Sequence, residues 1–386
     1  MKKNIGIIFG GNSVEHEISI ITAIQAIENM DQEKYEVIPI YLTKNNKFFT
    51  SEDFLNIDIF KNLKEIEKKY KEKILYKEDN KVLLLNKKKS FFKSKDQVEI
   101  DIFFPIVHGT NVEDGKLQGY LNMFGIPIIG TTTTSGVIGQ EKSIMKDILS
   151  THQIKQTKYL WVKETQREEL QTLIEQKLNY PVIVKPNCLG SSIGIFIAKD
   201  YEALNQKIDT AFKYDAIVII EEVLQDFEEL NISVVDINDE IKVSAIEKVN
   251  ASQDLLSYED KYLSESGKQK MKTSGMESLK RELPAKISFE LQQNIEKIAR
   301  DCYKFLRCQG IIRIDMMVKD NIIYINEVNN IPGSLAFYLW EESGQSYQEL
   351  LTEVIEDNIK KYYKTKNKDY SFSTNVLNLS GKKINK

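Results

Sequence analysis

Strand-like and helix-like patterns alternate at the start of the chain. Asn4–Phe9 is a short apolar run of the kind that forms a buried strand, and a glycine turn at Gly10–Ser13 follows it. Isoleucines then recur at helical spacing through Val14–Met30. A strand, a glycine turn and a helix in this order are typical of a doubly wound α/β unit with a parallel sheet, which binds ligands at the carboxyl ends of its strands.

The same pattern returns further along the chain. The apolar run Ile100–Val107 ends at His108, and a helix is expected after Gly115. The lysine-rich residues 61–100 interrupt the pattern and are predicted to be peripheral. We therefore predict an N-terminal α/β domain over residues 1–130.

The rest of the chain mixes strands and helices less regularly. The predicted elements are the helices Lys142–Ser150 and Phe289–Leu306 and the strands Tyr180–Lys185, Ala216–Glu221, Ile311–Val318 and Ile322–Asn326, the last two of which form a hairpin. Residues 250–285 are polar, show no sustained period and are too long for an ordinary connection, which is typical of a lid loop. We divide this part into a central subdomain, 131–222, a C-terminal subdomain, 223–365, and a polar tail, 366–386.

Charge and cysteine content narrow the functional class. The 53 basic and 57 acidic residues nearly cancel to a net charge of −4, so nothing indicates a nucleic-acid partner. The three cysteines, Cys188, Cys302 and Cys308, form no CxxC pair, which favours a reducing, cytoplasmic setting. We find no signal peptide and no apolar run of roughly 18 residues, so neither secretion nor a membrane span is expected.

A segment rich in glycine and serine is the first candidate for chemistry. Lys185 precedes the loop Gly190–Gly194, whose two glycines and two serines allow backbone N–H groups and hydroxyls to approach phosphate oxygens. The spacing matches neither the Walker motif nor the dinucleotide fingerprint. Taken alone, such a segment is more often a plain turn between strands, and that alternative stays open.

The predicted hairpin carries the second candidate. Arg313 and Asp315 share one face of their strand, and Glu327 and Asn329 share a face of the next, so the two faces can coincide. Two carboxylates and an amide oxygen are hard ligands suited to magnesium. The alternative is a solvated strand face, which the apolar neighbours on both strands make less attractive.

Acidic residues and histidines after two predicted strands form the third candidate. Glu15 and His16 follow the first glycine turn, and His108, Glu113 and Asp114 follow the later strand. A lone histidine is usually structural, so that alternative stays open. No serine–histidine–acid order and no cysteine nucleophile stands out, which argues against covalent catalysis through a side chain.

Together these motifs resemble the ATP-grasp superfamily, and more narrowly the D-alanine–D-alanine ligase family. The resemblance runs from Asn4 to about Leu351, and its motifs occur in the family's order and at compatible separations. The segments that carry it are Phe9–Ser19, His108–Gly119, Val184–Pro186, Gly190–Gly194, Tyr258–Tyr262, Arg313–Asp315 and Asn326–Gly333. It implies an N-terminal doubly wound parallel-sheet domain and two subdomains that clasp ATP, α/β overall and α+β in the ATP-binding half.

The resemblance also implies which residues bind ATP and metal. Two lysines would reach the phosphates, the glycine–serine loop would close over the γ-phosphate, and a hinge would bind adenine; the residues concerned are Lys142, Lys185, Gly190, Ser192, Glu221, Glu222, Leu224 and Glu229. Glu229 matches the family's ribose-binding acid, and Glu228 beside it leaves a register one residue earlier open. Asp315, Glu327 and Asn329 would hold two Mg²⁺ ions, with Mn²⁺ as an alternative.

Substrate contacts follow from the same resemblance. Glu15 would hold the ammonium of the first amino acid, and His108 would lie beside its carboxylate. Arg313 and the Gly333 backbone N–H would stabilise the tetrahedral intermediate. Ser191 and Tyr262 match, with Glu15, a hydrogen-bonded trio that closes the site; the three belong to the catalytic set.

After Gly333 the sequence departs from the family's pattern. The family usually continues with small hydroxyl residues, one of which binds the carboxylate of the second substrate, whereas Tyr338 stands at that position here. Ser334 is an alternative donor for that carboxylate. In another interpretation Phe337, Tyr338 and Trp340 simply pack against the helix that follows. The second substrate therefore stays open.

The activity implied is that of an ATP-dependent carboxylate–amine ligase. It would make D-alanyl-D-alanine for peptidoglycan precursors through an acyl phosphate, with small amino acids as substrates and a homodimer as the family's common assembly. The same mechanism with another amino acid or a hydroxy acid is one alternative. A nucleotide-binding protein that has lost catalysis is another.

Overall fold

The structure is a computed structural model that describes residues 2–88, 97–190, 193–249, 281–366 and 368. Ser191, Ser192 and Tyr262 lie outside the described residues, as do most of the predicted lid and nearly all of the predicted tail.

The first sheet contains seven strands in the order β6-β5-β4-β3-β2-β1-β7. Its strands are β1 Lys3–Gly10, β2 Tyr35–Leu42, β3 Phe48–Thr50, β4 Lys73–Glu78, β5 Lys81–Asn86, β6 Val98–Ile100 and β7 Ile102–Pro105. β1 is parallel to β2 and β7, whereas β2 to β6 pair antiparallel. The predicted α/β class is confirmed. The parallel part of the sheet is limited to β2, β1 and β7, and β3 to β6 extend it as antiparallel strands.

This sheet coils until its two ends meet. Only Asp101 separates β6 from β7, although these strands occupy opposite ends of the order. The Asn4 backbone N–H donates to the Asp101 carboxylate over 2.7 Å, and the Asn4 side-chain amide donates to the Glu99 carbonyl over 2.9 Å. A single extended segment therefore ends both edges of the sheet.

The lysine-rich segment belongs to this sheet, so the prediction that it is peripheral is wrong. Val82 and Leu84 on β5 and Ile66 on the helix Leu63–Lys69 are buried in the core. Its described lysines are exposed or half-buried, whereas alternate apolar residues such as Leu75, Val82 and Leu84 point inward. The charge content concealed this alternation in the sequence.

The second sheet has four antiparallel strands in the order β10-β9-β11-β8. Its strands are β8 Tyr159–Lys163, β9 Val182–Pro186, β10 Phe196–Ala198 and β11 Ile217–Glu222. The helices Leu170–Lys177 and Tyr201–Phe212 cover one face and share a separate hydrophobic core with it. The opposite face carries Lys185 on β9 and Glu221 on β11.

The third sheet has five antiparallel strands in the order β14-β13-β12-β15-β16. Its strands are β12 Glu228–Ile237, β13 Glu240–Val249, β14 Arg281–Glu282, β15 Ile312–Lys319 and β16 Ile322–Asn329. One face packs in a core with the helices Phe289–Phe305 and Lys142–Thr151. A bulge after Asp315 leaves Asn326 without a cross-strand partner and returns Glu327 to the other, polar face.

The helices fill the space around the sheets. Their bounds are His16–Glu28, Leu63–Lys69, Lys116–Asn122, Thr133–Gln140, Lys142–Thr151, Leu170–Lys177, Tyr201–Phe212, Phe289–Phe305, Phe337–Glu342 and Tyr347–Lys366, with 3₁₀ turns at Glu52–Leu55, Ile57–Asn62, Glu164–Glu169 and Gly333–Ala336. Both helices predicted outside the first domain are present within one residue of their predicted ends. In the described part of the chain, no helix has the length and apolar character needed to cross a membrane.

Candidate active site

The candidate residues converge where the polar face of the third sheet meets the other two sheets. On β15 and β16, Asp315 lies opposite Glu327 and Arg313 lies opposite Asn329, so all four side chains share one face. Arg313 grips the Asp315 carboxylate through two hydrogen bonds, Nε to Oδ1 at 2.6 Å and Nη2 to Oδ2 at 2.8 Å. The Asn329 amide nitrogen donates to Asp315 Oδ2 over 3.1 Å.

These four residues do not form an ordinary solvated strand face. The side chains of Arg313 and Asp315 are only 13% and 12% exposed. Burial would lower the pKa of Arg313, but the ion pair with Asp315 raises it well above the usual value. Among the residues that the structure describes, no group of three or more histidine, cysteine or acidic side chains is placed to hold a metal ion. Magnesium needs fewer protein ligands than that, because it is commonly bound by one or two carboxylates together with phosphates of the substrate.

Two lysines border the carboxylates. Lys142 Nζ lies 3.3 Å from Glu327 Oε1 and donates to the Leu189 carbonyl over 2.9 Å. Lys185 Nζ lies 3.3 Å from Asn326 Oδ1 on the bulge. Lys142 begins the helix Lys142–Thr151 and Lys185 lies on β9, so positive charge reaches the cluster of carboxylates from two different elements.

Glu221 on β11 is the centre of a buried group of charges. Its carboxylate lies 3.3 Å from both Lys146 Nζ and Lys185 Nζ and accepts a hydrogen bond of 2.7 Å from the Thr157 hydroxyl. Burial alone would raise the pKa of Glu221, but the two lysines and Thr157 outweigh burial and lower the pKa to about 2. The Glu221 side chain is therefore engaged inside the protein and positions Lys185.

Lys146 was missed by the sequence analysis. It lies on the helix Lys142–Thr151 one turn after Lys142, is fully buried, and has its Nζ 5.1 Å from the centre of the Tyr159 ring. Burial lowers its pKa, and attraction to Glu221 offsets only part of that effect. The helical spacing of the two lysines was the available signal.

The remaining residues assigned to the nucleotide lie near β11 and β12. Glu222 accepts two hydrogen bonds of 2.8 Å from the Asn179 backbone and side chain. Leu224 is half-buried in the connection between β11 and β12. Glu228 pairs with Lys248 at 2.6 Å, whereas Glu229 is the next residue along β12 and so lies on the polar face. Of the two registers left open, the geometry favours Glu229.

Glu15 lies just before the helix His16–Glu28. The backbone approaches its carboxylate closely at two glycines, Gly109 and Gly190. A Cβ atom on Gly109 would lie 2.7 Å from Glu15 Oε2, and one on Gly190 would lie 3.2 Å from it. Gly190, which follows β9 of the second sheet, and Gly109, which follows β7 of the first sheet, therefore both approach this carboxylate.

His108 is buried close by and linked to the segment after Gly333. Its Nε2 is 3.0 Å from the Thr22 hydroxyl, and that hydroxyl accepts a hydrogen bond of 3.0 Å from the Ser334 backbone N–H. Burial lowers the pKa of His108 to about 4, so the imidazole is neutral near pH 7. His16, in contrast, contacts the Gly11 carbonyl and the Tyr41 hydroxyl inside the core, as the structural alternative predicts.

Glu113 joins the first sheet to the third. Its buried carboxyl accepts hydrogen bonds from the backbone N–H of Gly109 over 2.8 Å and of Ile331 over 2.9 Å. Burial raises the pKa of Glu113 to about 8, and repulsion from Glu15 and Glu327 adds to the effect. The sequence placed Glu113 in a candidate cluster but assigned it no role; the structure indicates that it positions the chain just before Gly333.

The segment after Gly333 makes a left-handed turn. Ser334, Leu335 and Ala336 have φ values of 53°, 49° and 51°, and Ser334 is buried. This turn brings Tyr338 back over the polar face of the third sheet, where its hydroxyl donates to Glu247 over 2.7 Å.

The packing alternative holds for two of the three aromatic residues there. Phe337 stacks on Tyr347 of the following helix with ring centres 4.6 Å apart, and Trp340 is buried in the same hydrophobic core as that helix. Tyr338 instead lies beneath the Arg281 guanidinium, 4.8 Å from its ring centre. Neither Arg281 nor Glu247 belongs to a motif that could be recognised in the sequence.

Comparisons with known proteins cover nearly the whole chain. The family model described as D-ala D-ala ligase N-terminus matches residues 4–131, and the family model described as D-ala D-ala ligase C-terminus matches residues 148–356. A D-alanine–D-alanine ligase of Thermosipho africanus (strain TCF52B) is 38% identical over 382 residues, covering 98% of this chain and 100% of the relative.

Two solved structures are similar in fold and sequence. The VanG D-Ala:D-Ser ligase from Enterococcus faecalis is 29% identical with a TM-score of 0.77, covering 93% of this chain and all of that one. The D-alanine–D-alanine ligase from Bacillus anthracis complexed with ATP is 27% identical with a TM-score of 0.65, covering 94% of this chain and 99% of that one.

Proposed function

The chain belongs to the D-alanine–D-alanine ligase family of ATP-dependent ligases, and we propose that its site activates one D-alanine as an acyl phosphate and joins it to a second. The product, D-alanyl-D-alanine, would serve peptidoglycan precursor synthesis in the cytoplasm. The observation that carries the proposal is the shared polar face of Arg313, Asp315, Glu327 and Asn329. Lys142 lies against Glu327 on this face, and Arg313 is close enough to His108 to lower its pKa. Glu15 and Glu327 are both close enough to Glu113 to raise its pKa. A homodimer stays a prediction from the family resemblance.

ATP and metal fit the donors present. Asp315, Glu327 and Asn329 would hold two Mg²⁺ ions, or Mn²⁺, because carboxylate and amide oxygens are the ligands that such hard ions prefer. When bound, the ions would neutralise charge on the phosphates. Lys142 and Lys185 lie where they would contact the same phosphates, and an ATP complex is known for a similar ligase.

The first D-alanine would lie between Glu15 and His108. Glu15 would hold its ammonium, and a neutral His108 would lie beside its carboxylate without neutralising it, so the carboxylate oxygen keeps its nucleophilic charge for attack on the γ-phosphate. When the second amine then attacks the acyl carbon, Arg313 and the Gly333 backbone N–H would meet the developing oxyanion. Ser191 and Tyr262 would complete the closure that excludes water.

A second candidate is the same reaction with a different acceptor, such as D-serine or a hydroxy acid. Tyr338 donates its only hydroxyl proton to Glu247, so the usual small hydroxyl contact with the acceptor is replaced here. The similarity to a D-Ala:D-Ser ligase also supports testing this candidate.

Phosphate release from ATP and magnesium, with products identified by mass, tests both candidates. D-alanine, L-alanine, D-serine and D-lactate are supplied singly and as pairs with D-alanine. Release with D-alanine alone and formation of its dipeptide supports the first candidate, and release that requires another acceptor supports the second. No release with any of them contradicts both.

Glu327→Gln tests the metal site. The change removes a charged ligand but keeps the side chain's shape, so we expect turnover to be abolished while circular dichroism is unchanged. Asp320→Asn is the matched control, because Asp320 is an exposed acid at the turn between β15 and β16. Normal turnover in Glu327→Gln would contradict the assignment.

A further inference from the structure

Glu247 is a buried carboxylate with no part in the mechanism above. It lies on the polar face of β13, is 2% exposed, and accepts hydrogen bonds at Oε1 from the Tyr338 hydroxyl over 2.7 Å and from the Asn231 amide over 3.1 Å. Its other oxygen lies 3.5 Å from Arg281 Nη1. A buried carboxylate is costly unless it is paired, so these neighbours form one assembly.

Arg281 on β14 contacts Glu247 and Tyr338, and not all of its N–H donors are used in these contacts. Its guanidinium lies over the Tyr338 ring, and its side chain is only 12% exposed. Arg281 Nε is buried and has no hydrogen-bond partner among the residues that the structure describes. A guanidinium presents five N–H donors in a rigid fork that matches a carboxylate, and Glu247 faces only one edge of that fork.

This assembly lies in the same row of the sheet as the reacting groups. Glu247 is opposite Asn231 on β12, and Asn231 is opposite Asp315 on β15. Tyr338 and Glu247 are also close enough to Arg313 to raise its pKa. The assembly therefore borders the proposed reaction centre on the side reached by the chain after Gly333.

We propose that Arg281 binds the carboxylate of the acceptor amino acid, and that Glu247 and Tyr338 position its guanidinium for this. The inference rests on the proposed function. Tyr338 occupies the place of the family's small hydroxyl donor, but its single O–H is committed to Glu247, so the negative charge of the acceptor needs another partner. Two described cations are close to Tyr338, and one of them, Arg313, is engaged by the Asp315 carboxylate. The other, Arg281, lies over the Tyr338 ring and has an unpartnered donor among the described residues.

Competition between two acceptors tests this role. Full-length enzyme with ATP and magnesium is given D-alanine together with excess D-alaninamide, which has the amine but not the carboxylate. The ratio of D-alanyl-D-alanine to D-alanyl-D-alaninamide, measured by mass, reports the relative kcat/KM of the two acceptors. This ratio does not depend on how much of the enzyme is active.

In Arg281→Ala we expect the preference for D-alanine to fall by about 10- to 100-fold, as for the loss of a charge-assisted hydrogen bond. Tyr338→Phe keeps the ring but removes the hydroxyl, and we expect a smaller fall. Arg300→Ala is the matched control, because Arg300 pairs with Glu296 on the helix Phe289–Phe305 and should leave the ratio unchanged.

An unchanged ratio in a folded Arg281→Ala, with both products formed, overturns the role of Arg281 and leaves the proposed function intact. If that variant does not fold, Arg281→Gln decides the question, since it keeps a long polar side chain and loses the charge; an unchanged ratio there has the same meaning. Absence of D-alanine dipeptide from the wild-type enzyme overturns the proposed function and this inference together.

Discussion

Glu221→Gln is expected to lower the free energy of unfolding by about 3–5 kcal/mol, the usual cost of removing one partner from a buried ion pair. Glu221 is fully buried, and it is 3.3 Å from the ammonium groups of both Lys146 and Lys185. Glutamine keeps the shape and a carbonyl acceptor for Thr157 but leaves two buried ammonium groups without a counter-charge. The cost is larger for the Lys146 ammonium, because its side chain is completely buried.

The pKa of Glu221 gives an independent figure of similar size. A fall from 4.5 to about 2 corresponds to roughly 3 kcal/mol of preferential stabilisation of the carboxylate in the folded state. Because the folded-state pKa is depressed, this stability is fully present above pH 4.5 and is lost as the pH falls towards 2. The wild-type protein should therefore lose stability over that range, and Glu221→Gln should lose less.

Denaturant unfolding followed by tryptophan fluorescence and circular dichroism measures the change. Trp161 on β8 lies next to β11 and reports on the second sheet. Glu222→Gln is the matched control, since Glu222 is the next residue on β11 and its partner Lys158 is mostly exposed; we expect a loss of at most about 1 kcal/mol there.

The double variant Glu221→Gln/Lys146→Met separates charge from packing. It removes the ammonium that Glu221→Gln leaves without a counter-charge, so it should recover at least about 1 kcal/mol relative to the single variant. A loss below about 1 kcal/mol in Glu221→Gln, or no recovery in the double variant, would refute the reasoning that the buried charges are mutually dependent.

Three further changes test other parts of the structure. In wild type, the neutral buried His108 should contribute stability above pH 6.5 that is lost as the pH falls to about 4, and His108→Gln should remove this dependence in urea titrations at several pH values. Phe54→Ala should lower the free energy of unfolding by about 3–5 kcal/mol in the same assay, because Phe54 is fully buried against the rings of Tyr41 and Phe60. Gly139→Ala should destabilise by about 1–3 kcal/mol despite the better helix propensity of alanine, because the added Cβ would overlap the Asn330 side chain; a gain in stability would contradict the close approach.

The parts of the fold that follow from local pattern were predictable. The helix Phe289–Phe305 shows its apolar period within its own sequence, and the polar residues of β15 and β16 alternate along single strands. The sequence alone therefore indicated that Asp315, Glu327 and Asn329 can share one face. Only the bulge at Asn326, which restores that face, was invisible.

Contacts between distant strands were not predictable from a single sequence. Glu247 meets Tyr338 across 91 residues of chain, and Arg281 reaches both from another strand. Their meeting depends on the register of β12 against β13, to which neither residue contributes a visible signal. The prediction that residues 61–100 are peripheral was wrong for a different reason. It rested on the number of lysines and did not consider the alternation of apolar and polar residues along β4 and β5.

The coiled first sheet has a consequence for how the protein folds as it is synthesised. β1 lies between β2 and β7, so its second edge stays unpaired until Pro105 has left the ribosome. Strands that are this far apart in sequence pair slowly, and until they do, an unpaired apolar strand edge is prone to pair with other chains. The antiparallel strands inserted before β7 lengthen that interval, and they also bring β6 and β7 to the same place, so the last segment to arrive closes both edges at once.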